Sequence, residues 1–194
     1  MVILLSLTSW LSNLGLIKKA AVRPISDQTS FYDLSVKGIA GDTLRMSDYK
    51  GKYVLCVNVA SNCGYTYQYE DLQKLSEQYQ DRLVVVGFPC NQFMFQEPDS
   101  EAKIQEFCSN TYGVTFPMSS KIYVKGADQH PIYQWLCNRE LNGESFHEVK
   151  WNFHKFLVSP EGQLIGSFSS KVLPMGRRLR VVEVVLGAFI LGVF

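Results

Sequence analysis

The chain has 194 residues, enough for one domain with a substantial core, and its composition of 46% hydrophobic and 19% charged residues is ordinary for a globular protein. A formal net charge of +1 gives no electrostatic reason to expect a nucleic acid as partner. The five cysteines contain no C-x-x-C pair, which argues against a zinc knuckle, and a small disulfide framework would be shorter and denser in cysteine. The three dispersed histidines indicate no metal site.

Residues 1–30 are predicted to form a leader or linker ahead of the domain. Val2–Ile17 is largely apolar and precedes Lys18 and Lys19. A secretory signal normally carries its positive charge before the apolar stretch, and a membrane span is longer and less polar. We therefore expect a cytoplasmic protein, with export or membrane association through residues 1–17 as the alternative.

A β-hairpin is predicted to open the domain, which covers residues 31–175. Phe31–Val36 and Thr43–Met46 have strand character and flank a turn that contains glycine. Tyr53–Ala60 is a nearly continuous apolar run, which is typical of a central strand buried on both faces. Leu83–Phe88 has the same character and predicts a second buried strand.

Helical periodicity separates these runs and follows them. Apolar residues recur at the spacing of one helix face within Leu72–Tyr79. Ser100 is a good N-cap for a second helix. Pro131 is predicted to open a third helix that continues through Trp135, since proline is tolerated in the first turn.

Three further strands complete the predicted domain. Lys121–Val124 is predicted as a short strand, and Lys155–Val158 and Gln163–Phe168 flank a hairpin turn at residues 160–162. The order is then a β-hairpin followed by β-α-β-α-β-α-β-β. It predicts an α/β fold with a mixed central sheet and helices on both faces, for which a thioredoxin-like fold is the simplest match.

The C-terminal residues 176–194 form an atypical tail. Gly176 to Arg180 carries three arginines, and the following fourteen residues are apolar apart from Glu183. Fourteen residues are too few to span a bilayer, and they lack the polar face of a surface helix. A membrane-contacting tail and a shifted reading frame both remain open.

Cys63 lies just past the first apolar run, where a helix is about to start. Amide N–H groups and the positive end of a helix stabilise a thiolate, which is the nucleophilic form of cysteine. Position alone leaves a reactive and a structural cysteine equally open. Cys56, inside the apolar run, is predicted to be structural.

Cleavage of a peroxide also requires hydrogen-bond donors near the sulfur, and side-chain amides and indoles donate at any relevant pH. Gln96 and the pair Trp151-Asn152 are the candidates. Their residue types alone favour ordinary structural roles in loops, turns and the core.

Three ordered segments resemble the glutathione peroxidase family. NVASNCG (58–64) resembles its active-site segment, GFPCNQFMFQEP (87–98) its second signature and WNFHKFLV (151–158) its third. The resemblance runs from about Phe31 to Met175. It implies a thioredoxin-like fold, hydroperoxides as substrates, and no metal or organic cofactor.

The resemblance also implies roles for individual residues. Cys63 would be the peroxidatic cysteine, with Gln96, Trp151 and Asn152 as its donors. Cysteine members of the family often carry a resolving cysteine in the helix after QEP, where Cys108 falls. If the helix holds Cys63 and Cys108 apart, resolution by Cys108 would require local rearrangement, and the resulting disulfide favours thioredoxin over glutathione as reductant. Packing of Cys108 on an apolar helix face is the alternative.

Some features depart from the family pattern. Tyr67 stands where proline is common, and Asp99 follows QEP where glycine is usual. The segment 138–150 is short, whereas tetrameric members carry an insertion there, which implies a monomer and an open site for bulky hydroperoxides, lipid ones included. A peroxide-sensing thiol relay protein and an inactive thioredoxin-like relative are the alternative functions.

Overall fold

The helices and strands follow the predicted order with one strand missing. The computed structural model describes residues 29–176, so the predicted leader and tail lie almost wholly outside the described residues. Its elements are β1 (Ser35–Lys37), β2 (Thr43–Arg45), β3 (Tyr53–Val59), α1 (Gln68–Gln78), β4 (Leu83–Pro89), α2 (Glu101–Tyr112), α3 (Pro131–Cys137), α4 (Arg139–Asn142), β5 (Lys155–Val158) and β6 (Leu164–Phe168). Within these residues, no helix is long and apolar enough to cross a membrane.

A mixed four-stranded sheet, in the order β4-β3-β5-β6, forms the centre of the domain. β3 pairs with β4 in parallel, from Tyr53 opposite Leu83 to Val59 opposite Pro89. β5 runs antiparallel to both β3 and β6. The predicted N-terminal hairpin is confirmed as the separate antiparallel pair β1–β2, but its first strand is shorter than predicted, because Phe31–Asp33 forms a 3-10 helix. The antiparallel pairing of β5 brings the segment before it to the end of β3.

The central strand β3 divides the core into two clusters. Val54 and Cys56 face one cluster, which also contains buried residues of α3 such as Tyr133. Leu55 and Val57 face the other, which contains buried residues of α1 and α2. Successive strand side chains point to opposite faces, so a strand covered on both faces is apolar throughout. The predicted helices on both faces of the sheet are confirmed.

The helices begin close to the predicted positions. α2 starts directly after Ser100, which has extended backbone angles but makes no side-chain capping hydrogen bond. Pro131 is the first residue of α3, where the His130 side chain accepts a hydrogen bond from the Ile132 amide. This capping is a structural use of a histidine and requires no metal. The four-residue helix α4 was not predicted.

The predicted strand at Lys121–Val124 is wrong, because its residues form no strand in the structure. Its backbone and side chains are engaged elsewhere: the Val124 amide donates to Gln92 Oε1 (2.7 Å), and the Lys121 ammonium donates to the carbonyl of Asp99. Only isolated bridges form just before it, at Met118 and Ser119. These side-chain contacts, with a backbone bond from the Ile122 amide to the Pro89 carbonyl (3.0 Å), stand in place of a strand ladder.

Candidate active site

A turn held by one threonine presents Cys63 at the end of β3. The Cys63 amide donates to Thr66 Oγ1 (3.0 Å), and the Thr66 amide donates to the Cys63 carbonyl (3.0 Å). The Thr66 hydroxyl donates in turn to the Ala60 carbonyl (2.9 Å). These reciprocal bonds fix the backbone on both sides of Cys63, whose side chain is half-buried.

The Cys63 sulfur accepts a hydrogen bond from the Tyr65 amide, with an N to Sγ distance of 3.4 Å. This is the type of backbone donor that the sequence predicted. The expected helix begins only at Gln68, however, so the amide belongs to the preceding turn and not to the helix. An amide that points at sulfur favours negative charge there.

A side-chain hydrogen bond joins two of the predicted donor residues. Asn152 is fully buried and its Nδ2 donates to Gln96 Oε1 (2.9 Å). The Asn62 amide, beside Cys63, donates to the Gln96 carbonyl (3.0 Å). The bond from Asn152 fixes which end of the Gln96 side-chain amide, its oxygen, faces Asn152. The structure thus connects the Cys63 turn, the Gln96 loop and Asn152.

Trp151 lies half-buried next to these residues. Its ring packs on Phe93 with centroids 5.8 Å apart, and its carbonyl accepts from Asn58 Nδ2 (3.1 Å). Trp151 and Tyr65 both line a cavity of about 490 Å³. Tyr65, whose amide contacts the Cys63 sulfur, thus also borders this cavity.

The structure places Cys108 in the core and not at the mouth of the site. Cys108 lies on α2 with 2% of its surface exposed, in the cluster against which Cys63 also packs. Burial raises the pKa of the Cys108 thiol to about 11, although the nearby Tyr69 hydroxyl opposes the shift. Cys63 and Cys108 are both free thiols. Cys108 is therefore protonated and shielded in this conformation.

Two residues of the Gln96 loop have a backbone conformation that the sequence did not suggest. Met94 and Phe95 have φ values of +52° and +54°, in the left-handed region. Their side chains are 75% and 81% exposed. Left-handed backbone costs a non-glycine residue about 1–2 kcal/mol. Strain of this kind persists where the surrounding structure enforces it, and it clusters at functional sites.

A buried carboxyl group lies next to Gln96. Glu97 is fully buried, and neither of its side-chain oxygens makes a hydrogen bond within the described residues. Desolvation raises the pKa of the Glu97 carboxyl to about 7, although the nearby Ser61 hydroxyl and amide oppose the shift. Nothing in the sequence distinguished Glu97 from an exposed loop carboxylate, because its burial results from tertiary packing.

We expect the Glu97→Gln variant to lose a pH dependence of stability that the wild type has. The unfolded chain releases the Glu97 proton near its ordinary pKa of 4.5, whereas the folded chain retains the proton up to about pH 7. The free energy of unfolding should therefore fall as pH rises from 4.5 to 7 and then level off, by about 3 kcal/mol in total from this group.

Urea unfolding at several pH values measures this effect as the difference between wild type and variant, which cancels the contributions of other titrating groups. The exposed Glu106 provides a matched control, and Glu106→Gln should follow the wild type at every pH. A wild-type and Glu97→Gln difference that stays constant from pH 4.5 to 8 would contradict the assignment.

Within residues 29–176, no group of three or more histidine, cysteine, aspartate or glutamate side chains is placed to hold a metal ion.

The remaining cysteines fit structural roles. Cys56 and Cys90 are buried, and burial raises the pKa of both thiols.

The sequence is similar to known peroxidases over most of its length. The family model for glutathione peroxidase matches residues 31–137. The chain is 49% identical over 146 residues to a glutathione peroxidase of Lactococcus lactis subsp. cremoris, an alignment that covers 75% of this chain and 92% of the relative. It is 48% identical over 147 residues to the glutathione peroxidase-like peroxiredoxin 2 of Saccharomyces cerevisiae, covering 75% of this chain and 91% of that relative.

Solved structures show the same relationship in three dimensions. Trgpx in its apo form matches with a TM-score of 0.63 and 39% identity, over 82% of this chain and 97% of that chain. A thioredoxin-family thiol:disulfide interchange protein from Chlorobium tepidum matches with a TM-score of 0.57 and 17% identity, over 79% of this chain and 93% of that chain. The second match concerns the fold alone, and it confirms the predicted thioredoxin-like architecture.

Proposed function

The chain belongs to the glutathione peroxidase family and is a thiol peroxidase, and from this premise we propose that Cys63 is the cysteine that attacks the hydroperoxide. Of the five cysteines, only Cys63 and Cys137 are half-buried, and the other three are buried. Burial raises the pKa of Cys137 to about 12, so that residue stays a thiol at neutral pH. The Tyr65 amide that contacts the Cys63 sulfur supports the choice of Cys63.

In the proposed reaction, the Cys63 thiolate attacks one oxygen of the peroxide. A sulfur–oxygen bond forms, the oxygen–oxygen bond breaks, and the leaving oxygen takes up a proton to become water or an alcohol. The cysteine is oxidised to a sulfenic acid, and the peroxide is reduced. Negative charge develops on the leaving oxygen, where hydrogen-bond donors stabilise the transition state.

The hydrogen bond from Asn152 to Gln96 carries the proposal that these residues, with Trp151, are the donors. It orients the Gln96 amide, and the Asn62 amide ties the same residue to the Cys63 turn. The Cys63 turn, Gln96 and Asn152, which lie far apart in sequence, are thereby joined by hydrogen bonds. Such preorganisation is what electrostatic stabilisation of a leaving group requires.

The test is the rate at which Cys63 is oxidised by hydrogen peroxide in a single turnover. We expect Gln96→Ala and Trp151→Phe each to slow this step by roughly tenfold to a thousandfold, the range for loss of an oxyanion-type donor. Gln129→Ala is a suitable control, because the Gln129 amide nitrogen donates to the carbonyls of Val124 and Tyr133. Unchanged rates in both donor variants would mean that the donors are misassigned.

We further propose that Cys108 resolves the sulfenic acid. Its thiolate would attack the Cys63 sulfur, forming a disulfide and releasing hydroxide, which is protonated to water. Cys108 is buried in α2, and we propose that α2 opens locally so that the two sulfurs meet. Opening also removes the burial that raises the pKa of Cys108, so the same motion exposes the thiol and eases its ionisation.

A dithiol protein such as thioredoxin is then the proposed reductant, with glutathione as the alternative. An intramolecular disulfide is a substrate for thiol–disulfide exchange with such a protein. The name peroxiredoxin, carried by the yeast relative, supports this choice. We also propose a monomer that accepts bulky hydroperoxides, supported by the short 138–150 segment and by the cavity beside Trp151.

A further inference from the structure

Asn58 of β3 contacts the backbone of the Trp151-Asn152 turn. We propose that Asn58 is a positioning residue, which sets the geometry of the donors without contacting the substrate. The proposal rests on the function proposed above, because it assigns to Asn58 a role exerted through Asn152.

Four hydrogen bonds connect Asn58 to the turn. Its side-chain Nδ2 donates to the Trp151 carbonyl (3.1 Å), and its Oδ1 accepts from the His154 amide (3.1 Å). Its own carbonyl accepts from the Phe153 amide (2.6 Å), and its amide donates to the His154 carbonyl (3.3 Å). The fully buried side chain of Asn58 thus bonds to the backbone of the turn on both sides of Asn152.

These bonds continue the sheet beyond the point where the strand ladder stops. The pairing of β3 with β5 extends only as far as Val57 opposite Lys155. Asn58 is the next residue along β3. Its side-chain amide provides one donor and one acceptor to the turn, in addition to the backbone groups that a regular strand ladder provides. Aspartate, serine or an apolar residue at position 58 would lack this donor and acceptor pair at the same length.

The turn requires such support because part of it is strained. Phe153 is fully buried and has a φ of +60°, in the left-handed region. A bulky residue adopts this conformation only where the surroundings enforce it. Asn152, the residue before Phe153, donates to Gln96, so any relaxation of the turn would move the Gln96 amide as well.

The expected consequence of losing Asn58 is kinetic. A displacement of about 1 Å at a reacting centre can cost about a hundredfold in rate. We therefore expect Asn58→Ala to slow single-turnover oxidation of Cys63 by about a hundredfold, at a temperature where the variant is fully folded. Asn58→Asp retains the side-chain oxygen that accepts from His154 and loses donation to the Trp151 carbonyl. It keeps the size of the side chain, and it serves as the second variant if Asn58→Ala does not fold.

A matched control separates positioning from simple stabilisation. Asn142 is also buried, and its side chain also holds a loop by its backbone, donating to the carbonyls of Trp135 and Ser145 and accepting from the amide of Glu144. Asn142→Ala should lower the unfolding midpoint while oxidising Cys63 at the wild-type rate. Amide hydrogen exchange gives a second readout, since the His154 amide should lose protection in Asn58→Ala and keep it in Asn58→Asp.

The decisive measurement is the double variant Asn58→Ala/Asn152→Ala. If Asn58 acts through Asn152, the rate penalty of Asn58→Ala should largely disappear in the Asn152→Ala background, because coupled residues are not additive. Three results would each overturn the proposal. The slowing by Asn58→Ala could be just as large in the Asn152→Ala background, Asn58→Ala and Asn58→Asp could both react at the wild-type rate, or Asn142→Ala could slow the reaction equally. If Asn152→Ala alone is as fast as the wild type, the donor assignment fails and the role of Asn58 fails with it. A slow Asn152→Ala beside a fast Asn58→Ala overturns the positioning role only.

Discussion

The Cys63→Ser variant is expected to show no hydroperoxide reduction above background. A serine hydroxyl is a far weaker nucleophile than a thiolate near neutral pH, and it cannot form a sulfenic acid. The substitution is nearly isosteric and the turn bonds of Thr66 involve only the backbone of residue 63, so the fold should be retained. Consumption of hydrogen peroxide and of an organic hydroperoxide, each with excess reductant, measures the loss.

Cys137→Ser is the appropriate control for this substitution. Cys137 is the other half-buried cysteine, and it lies at the end of α3 in a different cluster of the core. Its replacement should leave both peroxidase activities at the wild-type level. Retained turnover in Cys63→Ser, or a comparable loss in Cys137→Ser, would show that another thiol carries the reaction.

The Cys108→Ser variant is expected to lose turnover supported by thioredoxin while keeping the first oxidation of Cys63. Without Cys108 the sulfenic acid has no intramolecular partner, so no disulfide forms for thioredoxin to reduce. Single-turnover oxidation of Cys63 should proceed at the wild-type rate, because Cys108 is buried in α2 and takes no part in that step. Steady-state assays with thioredoxin or glutathione as sole reductant separate the two steps.

Cys90→Ser provides a second buried cysteine for comparison, and we expect it to retain turnover supported by thioredoxin. Mass spectrometry after one equivalent of peroxide should find a Cys63–Cys108 disulfide in the wild type and none in Cys108→Ser. Equal turnover with glutathione in wild type and Cys108→Ser would assign Cys108 a structural role and replace the disulfide route with a one-cysteine route. Rapid oxidation with poor turnover on either reductant would favour a peroxide sensor.

The sequence predicted most of the fold because the local signals agreed with the tertiary structure. The apolar runs that became β3 and β4 are buried on both faces, so continuous hydrophobicity was a faithful signal. Lys121–Val124 shows the limit of such signals. Its residues suit a strand, but the contacts of Gln92 and Lys121 with distant backbone decide its structure, and those contacts are not visible in local sequence.

The candidate site was less predictable from residue properties. Position suggested Cys63 only at even odds, and the three donors were distinguished only by resemblance to a family; all these roles remain predictions. Asn58 and Glu97 were missed, because an asparagine in an apolar strand and a glutamate in a loop acquire their significance through burial. The left-handed backbone of Met94 was also missed, because methionine is not a residue type that favours this conformation.

The division of the core by β3 has a consequence for the proposed catalytic cycle, because it places Cys108 and α3 on opposite faces of the sheet. Cys108 and α2 belong to one cluster, whereas α3 packs in the other, on the far side of the sheet. The proposed opening of α2 would therefore break contacts on one face of the sheet and leave the packing of the opposite face intact. Proteins commonly unfold in such cooperative units, each with its own free energy. If Cys108 resolves the sulfenic acid as proposed, the sheet would confine the rearrangement at each turnover to the α2 face, and the packing of α3 on the other face would be a fixed support onto which α2 can close again.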